Sequence, residues 1–288
     1  MRIADAKLAE VRERGFTLVE GFIGGEELRG AQQALWLHYP RPSDYFAAPE
    51  RYAEFSRSQF SGLHLFPFRA WALNRLAVHP DLVDAAERLL GSADLEVYKS
   101  ELWGKYAGAI DYDQAHHYDY DNHSLVVPRR DGRFRQMTTF LLLSDVTALD
   151  GPTKALPLTA TAGVPYVPRR LPMGELFAQE VAATGPDGSL LIYHTGVLHR
   201  GSNFGAPGRA RFTLLADYQV RGAPWAGKMA WPGRANDPNM GEVLVRASVR
   251  ERDLFGWPPP GHEYWNKQTL ADTAARYPGI DLTPYGAG

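Results

Sequence analysis

The chain of 288 residues contains no cysteine. That absence removes disulfides, thiolate metal sites and a cysteine nucleophile together, so any bound metal must be held through nitrogen and oxygen. No apolar run approaches the roughly 20 residues of a membrane-spanning helix, and the opening MRIADAKLAEVRERG is charged and amphipathic rather than an apolar leader. An excess of charge of one sign is also missing: 31 basic residues face 33 acidic ones, for a net charge of -2. Nothing here resembles a phosphate-backbone footprint or a polybasic membrane patch, which argues against nucleic acid and membrane as partners. There is no internal repeat and no low-complexity tract. These absences lead to the expectation of a soluble, cytoplasmic protein; oligomeric state is not readable.

What is present is enough apolar material, 44% of the residues, for one large core. The expectation is a single domain over 1–288. Its first third, 1–91, reads as mainly helical. Leu8 and Val11 stand at helical spacing before Gly15, and FTLVEGFI then suits a strand. Residues 25–38 open with acidic side chains and end before Pro40, and HPDLVDAAERLLG carries Pro80 near its start and Gly91 past its end. Residues 41–70 mix proline, serine and aromatics without a period and are expected to form a long loop or lid. From residue 92 the runs LEVYKSELWGKY, QMTTFLLLSDV, GSLLIYHTGVLH and RARFTLLADYQV are short, branched and aromatic, with no long helix between them. That spacing predicts a mainly β, antiparallel jelly-roll core over 92–222 with flanking helices. The proline- and tryptophan-rich remainder, 223–288, is expected to be an irregular C-terminal wrapping.

The densest chemistry lies at 113–124, DQAHHYDYDNHS. His117 and Asp119 are two apart, so in an extended chain both side chains point to one side. A third ligand must come from a distant strand, and LIYHTGVLHRGSN supplies His199. Two imidazoles and one carboxylate leave positions open on the ion, the arrangement associated with non-haem iron(II) oxygenases. Downstream, Arg211 opens a strand in which residues 211, 213, 215 and 217 share a face. Its planar guanidinium can take the far carboxylate of a dicarboxylate such as 2-oxoglutarate while the near end chelates the metal.

These segments together resemble the phytanoyl-CoA dioxygenase family of Fe(II)- and 2-oxoglutarate-dependent oxygenases, over most of the chain. GFTLVEGFIGGEEL is similar to the family's opening strand and helix, VHPDLVDAAERLLG to the helix before its core, and HYD to its His-x-Asp. DVTALDGPTKALP is similar to its Asn-Gly-Pro turn, and HRGSN with RARFTLLADY to its distal histidine and cosubstrate arginine. The resemblance implies a double-stranded β-helix, Fe(II), 2-oxoglutarate and dioxygen as cofactor and cosubstrates, and oxidation of an unactivated C–H bond with release of succinate and carbon dioxide. It implies His117, Asp119 and His199 as metal ligands. The family's spacing from arginine to aromatic selects Arg211 with Tyr218, Arg209 being the competitor. Two features depart from the family. Leu156-Pro157-Leu158-Thr159 stands where the turn usually continues as Pro-Gly-Ser-His, and His116 precedes the expected ligand. Asp119 is retained where halogenating relatives carry a small residue, which favours hydroxylation.

Lys105 and Thr138 are further candidates for the cosubstrate, with Thr139 the alternative to Thr138 because strand residues alternate. Trp103, Tyr106 and Tyr118 are candidates for the substrate pocket, together with Tyr112 and Tyr120. His123, His194, Asp113 and Asp121 are placed around the site rather than on the metal. Two other readings use the same residues: a cupin-like zinc or manganese hydrolase or isomerase, which leaves Arg211 without a task, and a non-catalytic binding barrel. The identity of the substrate is not readable.

Overall fold

The computed structural model describes residues 2–119, 136–162, 164, 174–222 and 237–286. Tyr120, Asp121 and His123 lie outside them. Helix α1, Asp5–Arg14, buries Leu8 and Val11 and ends on Gly15 at φ 96°, a left-handed position that glycine takes without strain. Strand β1, Phe16–Val19, follows at once. Helix α2 spans Gly25–Leu35. The segment 41–70 carries more order than a long loop: helix α3, Pro42–Ala47, a 3-10 turn over Pro49–Ser56, and strand β2, Leu63–Leu65. Proline at the first turn of α3 and a tyrosine buried in it are the local reasons. After the short helix α4, Trp71–Asn74, comes α5, Pro80–Leu90. His79 caps α5 by accepting from the Asp81 N–H, and Gly91 closes it at φ 68°.

Seven more strands build the core: β3 Leu95–Tyr106, β4 Gln136–Leu142, β5 Thr153–Ala155, β6 Val181–Ala182, β7 Leu190–Tyr193, β8 His199–Gly201 and β9 Ala210–Val220. They form two antiparallel sheets, one of six strands in the order β1-β7-β4-β9-β3-β2 and one of three in the order β6-β5-β8. An isolated bridge between His117 and His199 adds the segment after β3 to the small sheet. This is the jelly roll.

Alternation divides the large sheet. Leu102, Met137, Leu141, Leu214, Ala216 and Tyr218 point outward into the main core, where they meet Leu82, Ala86 and Leu89 of α5 and residues of α1 and α2. Burying each such leucine-sized side chain stabilises the fold by about 1.5–3 kcal/mol. The opposite face carries Glu101, Trp103, Lys105, Phe140, Arg211, Thr213 and Leu215, which look into the space between the sheets. The helices therefore back the sheet that the site faces.

The C-terminal part differs from the irregular wrapping anticipated for it. Among its described residues are helices α6, Pro238–Arg246, α7, Val249–Asp253, and α8, Lys267–Arg276. Their signals are side-chain caps: Asp237 accepting from Asn239, and capping boxes at Ser248 with Glu251 and Asn266 with Thr269. Among the described residues no helix is long and apolar enough to cross a membrane.

Candidate metal centre and cosubstrate cavity

His117, Asp119 and His199 each offer one ligand atom, and these atoms lie within 4.8 Å of one another. The backbone brings them together: His117 and His199 exchange N–H to carbonyl bonds of 3.0 and 3.1 Å, which leaves their rings 4.5 Å apart. Gly201 admits the segment before His117, because its N–H donates to the Gln114 side-chain oxygen at 2.7 Å and a Cβ there would lie 2.8 Å from that oxygen.

The tautomers follow from the hydrogen bonds. Nδ1 of His117 donates to the Ala115 carbonyl at 3.0 Å, and Nδ1 of His199 to the Val197 carbonyl at 3.0 Å. A carbonyl can only accept, so each neutral ring presents its Nε2 lone pair inward. Both Nε2 atoms face Asp119 Oδ1, at 3.9 Å from His117 and 3.4 Å from His199. The Tyr193 hydroxyl donates to Asp119 Oδ2 at 2.6 Å and orients the carboxylate. Burial acts to lower the pKa of His199, but the Asp119 charge and hydrogen bond outweigh it and raise it. A divalent cation would relieve that attraction. The donor set, two imidazoles and one carboxylate on one side, fits iron(II) with open positions.

The three residues border a cavity of about 560 Å³, within the usual range for small-molecule sites. Arg211 and Lys105 lie in it as direct cross-strand partners on β9 and β3. Arg211 is buried, its Nη1 has no hydrogen-bond partner among the described residues, and desolvation pushes the guanidinium down to about 10, so it stays charged at neutral pH. Burial and the neighbouring Arg211 push Lys105 down to about 7, with the Tyr112 hydroxyl 3.3 Å from its Nζ. Asp150 acts on Arg211 only from a distance, and among the described residues neither cation has a carboxylate in ion-pair contact, which suits an anion from outside the chain.

The other candidates separate. Trp103 lines the cavity and donates from its indole to Glu101 at 3.0 Å. Tyr106 faces the main core, donating to the Pro40 carbonyl at 2.6 Å and stacking on Tyr45 at 4.1 Å, and does not line this cavity. Trp103 and Tyr106 have opposite parity on one strand, so both cannot face the site. Tyr118 turns to the reverse side with Leu156 and Leu198. Thr138 does face inward, opposite Tyr193, yet lies deeper than the cavity wall, whereas Thr139 donates outward to the Ala216 carbonyl. Arg209 is paired with Asp150 at 2.8 Å. His194 is buried, with Nδ1 accepting from the Gly196 N–H. His116 projects behind the site to Glu180, whereas Asp113 lines the cavity and accepts from Arg200 Nη1 at 2.7 Å.

Sequence reasoning passed over Tyr193 and the pair Lys99 and Asp217, whose charged atoms are 3.0 Å apart beside Asp119. Asp217 was in phase with Arg211 and so legible as inward-facing; Lys99 had no comparable signal across the irregular register near Val97.

The family model for phytanoyl-CoA dioxygenase (PhyH) matches residues 11–209. The chain belongs to the phytanoyl-CoA dioxygenase family. Arg211 stands just past the matched stretch. Solved structures agree in fold. EctD from S. alaskensis, crystallised with 2-oxoglutarate and 5-hydroxyectoine, superposes with a TM-score of 0.58 at 19% identity, covering 80% of this chain and 82% of that one. HygX from Streptomyces hygroscopicus, with nickel and 2-oxoglutarate bound, gives 0.54 at 14% identity, covering 79% and 97%. The non-heme alpha-ketoglutarate-dependent epimerase SnoN from nogalamycin biosynthesis gives 0.53 at 19%, covering 75% and 81%. No curated protein sequence matches the chain. Family membership makes this an iron- and 2-oxoglutarate-dependent oxygenase that uses dioxygen.

Proposed function

We propose that His117, Asp119 and His199 hold the iron, that Arg211 with Lys105 holds the far carboxylate of 2-oxoglutarate, and that the enzyme hydroxylates a small molecule in the remaining cavity. One observation carries the reading. Three convergent ligand atoms and a buried guanidinium with an unpartnered Nη1 border one cavity. Iron with 2-oxoglutarate and dioxygen supplies an oxidation strong enough for an unactivated C–H bond, leaving succinate and carbon dioxide. The chain's residues do the rest. Val197 and Ala115 carbonyls fix the imidazole tautomers, and Tyr193 holds one oxygen of Asp119 so that the other faces the ion. Arg211 and Lys105 provide charge in a site withdrawn from water, where an ion pair counts for more. Trp103, with Phe60 5.8 Å from it, offers the substrate an aromatic wall. Retention of Asp119 favours hydroxylation over halogenation.

Tyr106 and Tyr118 are left out of this reading because they pack elsewhere, and Thr138 because it does not border the cavity. The hydrolase or isomerase alternative gives Arg211 and Lys105 no partner. The reading treats 1–288 as one domain, since β1 and β2 from the first third hydrogen-bond into the same sheet as β9. It keeps a cytoplasmic setting, supported by the cysteine-free composition.

The test is succinate formation. With Fe(II), 2-oxoglutarate and oxygen, the wild-type chain is expected to form succinate, even slowly without substrate, and His199→Ala is expected to form none above background. Equal rates would sink the assignment of the ligands.

A further inference from the structure

The two histidines of the metal site have chain neighbours that face the other way. His116 precedes His117 and Arg200 follows His199, and alternation along extended backbone sends both to the back of the small sheet. There they meet one carboxylate. Glu180, just before β6, accepts from His116 Nε2 at 2.8 Å and from Arg200 Nε, while Arg200 Nη2 donates to its second oxygen at 3.1 Å. Lys154 of β5 reaches the same oxygen at 3.4 Å. Arg200 Nη1 also donates to Asp113 Oδ1 at 2.7 Å, and the Phe177 ring lies 4.3 Å from the guanidinium and 5.1 Å from the His116 ring. The side chains of His116, Glu180 and Arg200 are 0%, 5% and 2% exposed.

Such a buried ion pair is weak evidence for stability, because apolar replacements often serve as well. Its position suggests what it does. Among the described residues, the segment bearing His117 has no long ladder to β8: it is held by the bridge at His117, by the Gln114 contacts with Gly201 and by Asp113 Oδ1, which accepts from the Asn203 N–H at 3.0 Å. The separation of the two imidazoles therefore depends on few backbone bonds. A metal site tolerates only about 0.5 Å of error in its ligands.

We propose that Glu180 is a positioning residue of the metal centre. By joining His116 to Arg200 it clamps the segment carrying His117 onto the strand carrying His199. The carboxylate is well suited to this: burial alone would raise its pKa, but Arg200, Lys154 and His116 outweigh burial and keep it ionised. This inference rests on the reading of His117, Asp119 and His199 as the ligands.

The experiment is an anaerobic Co(II) titration of the full chain, followed by the visible absorption of the bound ion. The variant is Glu180→Leu with Arg200→Met, which removes the clamp without stranding a buried charge; Asp113 keeps its contact with solvent. Folding is checked by circular dichroism and thermal melting. The expected result is a folded protein whose Co(II) affinity falls about 10–100-fold, with a changed absorption envelope, the size seen when groups orienting a ligand are lost. A folded double variant that binds Co(II) as tightly as wild type overturns the clamp while leaving the ligand assignment intact. A wild-type chain that binds no Co(II) overturns both. Should the double variant not fold, Glu180→Gln decides: its amide nitrogen would face the Arg200 donor, so a several-fold loss of affinity supports the clamp and an unchanged affinity overturns it.

Discussion

Lys99 and Lys105 lie on one strand and both border the cavity, yet their surroundings are opposite. Lys99 sits among carboxylates, 3.0 Å from Asp217 and 3.7 Å from Glu101; burial works against its charge, and these acids outweigh burial and raise its pKa. Lys105 sits beside Arg211, Trp103 and the Tyr112 hydroxyl, with no acid paired to it among the described residues, and burial pushes it down to about 7. One end of the cavity supplies acids for its own lysine. The other is short of a negative charge, and that difference is the ground for proposing that the anionic cosubstrate binds there.

The largest effect comes from breaking the balanced end. Lys99→Met strands the fully buried Asp217 and is expected to cost about 3–5 kcal/mol of stability at pH 8, measured by urea unfolding. The cost should shrink on acidification. Burial already pushes Asp217 up to about 7, and without Lys99 it rises further. A folded carboxylate with a raised pKa binds a proton that the unfolded one, at roughly 4, does not. The folded variant thus holds more protons between those values, and its stability rises as the pH falls through them. A loss that is the same at pH 5.5 and pH 8 would mean that the ion pair is not its source.

The next effect comes from the deficient end. Arg211→Met removes two charge-assisted hydrogen bonds to the cosubstrate, and the expected rise in KM for 2-oxoglutarate is about 100-fold, or ~2.7 kcal/mol. Its stability should hold or improve, because the wild-type chain buries this guanidinium with Nη1 unpartnered. A variant that loses stability but keeps its KM would place the carboxylate elsewhere.

The contrast between the two lysines also marks how far the sequence could be read. The proposed metal ligands were legible as a cluster because two local rules met: period-2 alternation put His117 and Asp119 on one side, and the branched runs supplied a second strand with His199. Arg211 and Asp217 were legible as one face of β9 for the same reason. Alternation put Tyr118 on the side opposite His117 and Asp119, although it was also a pocket candidate, and required one of Thr138 and Thr139 to face inward without saying which. It could not say how deep Thr138 lies, which depends on its pairing with Tyr193, a partner chosen by sheet register. Tyr106 fails by the same rule that admits Trp103. Glu180 was silent because its partners, His116 and Arg200, come from segments far apart in sequence. The C-terminal helices were announced only by caps, which are easily lost among prolines.

The smallest effect is the most specific to the comparison. Lys105→Met is expected to raise the KM for 2-oxoglutarate about tenfold, the loss of roughly 1.4 kcal/mol. Its wild-type counterpart should depend on pH in a way that the variant does not. The groups facing Lys105 are Arg211 on β9, Trp103 on its own strand and Tyr112 in the following segment; Arg211 remains charged throughout the neutral range. In the empty cavity Lys105 is an ammonium below about pH 7 and an amine above it. A bound carboxylate favours the ammonium and raises its pKa, so binding above pH 7 takes up a proton. Affinity for 2-oxoglutarate should accordingly be level below about pH 7 and fall as the pH rises beyond it, by at most tenfold per unit. Calorimetric titration in two buffers of different ionisation enthalpy reads the proton directly. Lys105→Met should remove both the slope and the proton uptake, whereas Lys99, held charged by its own acids, contributes neither.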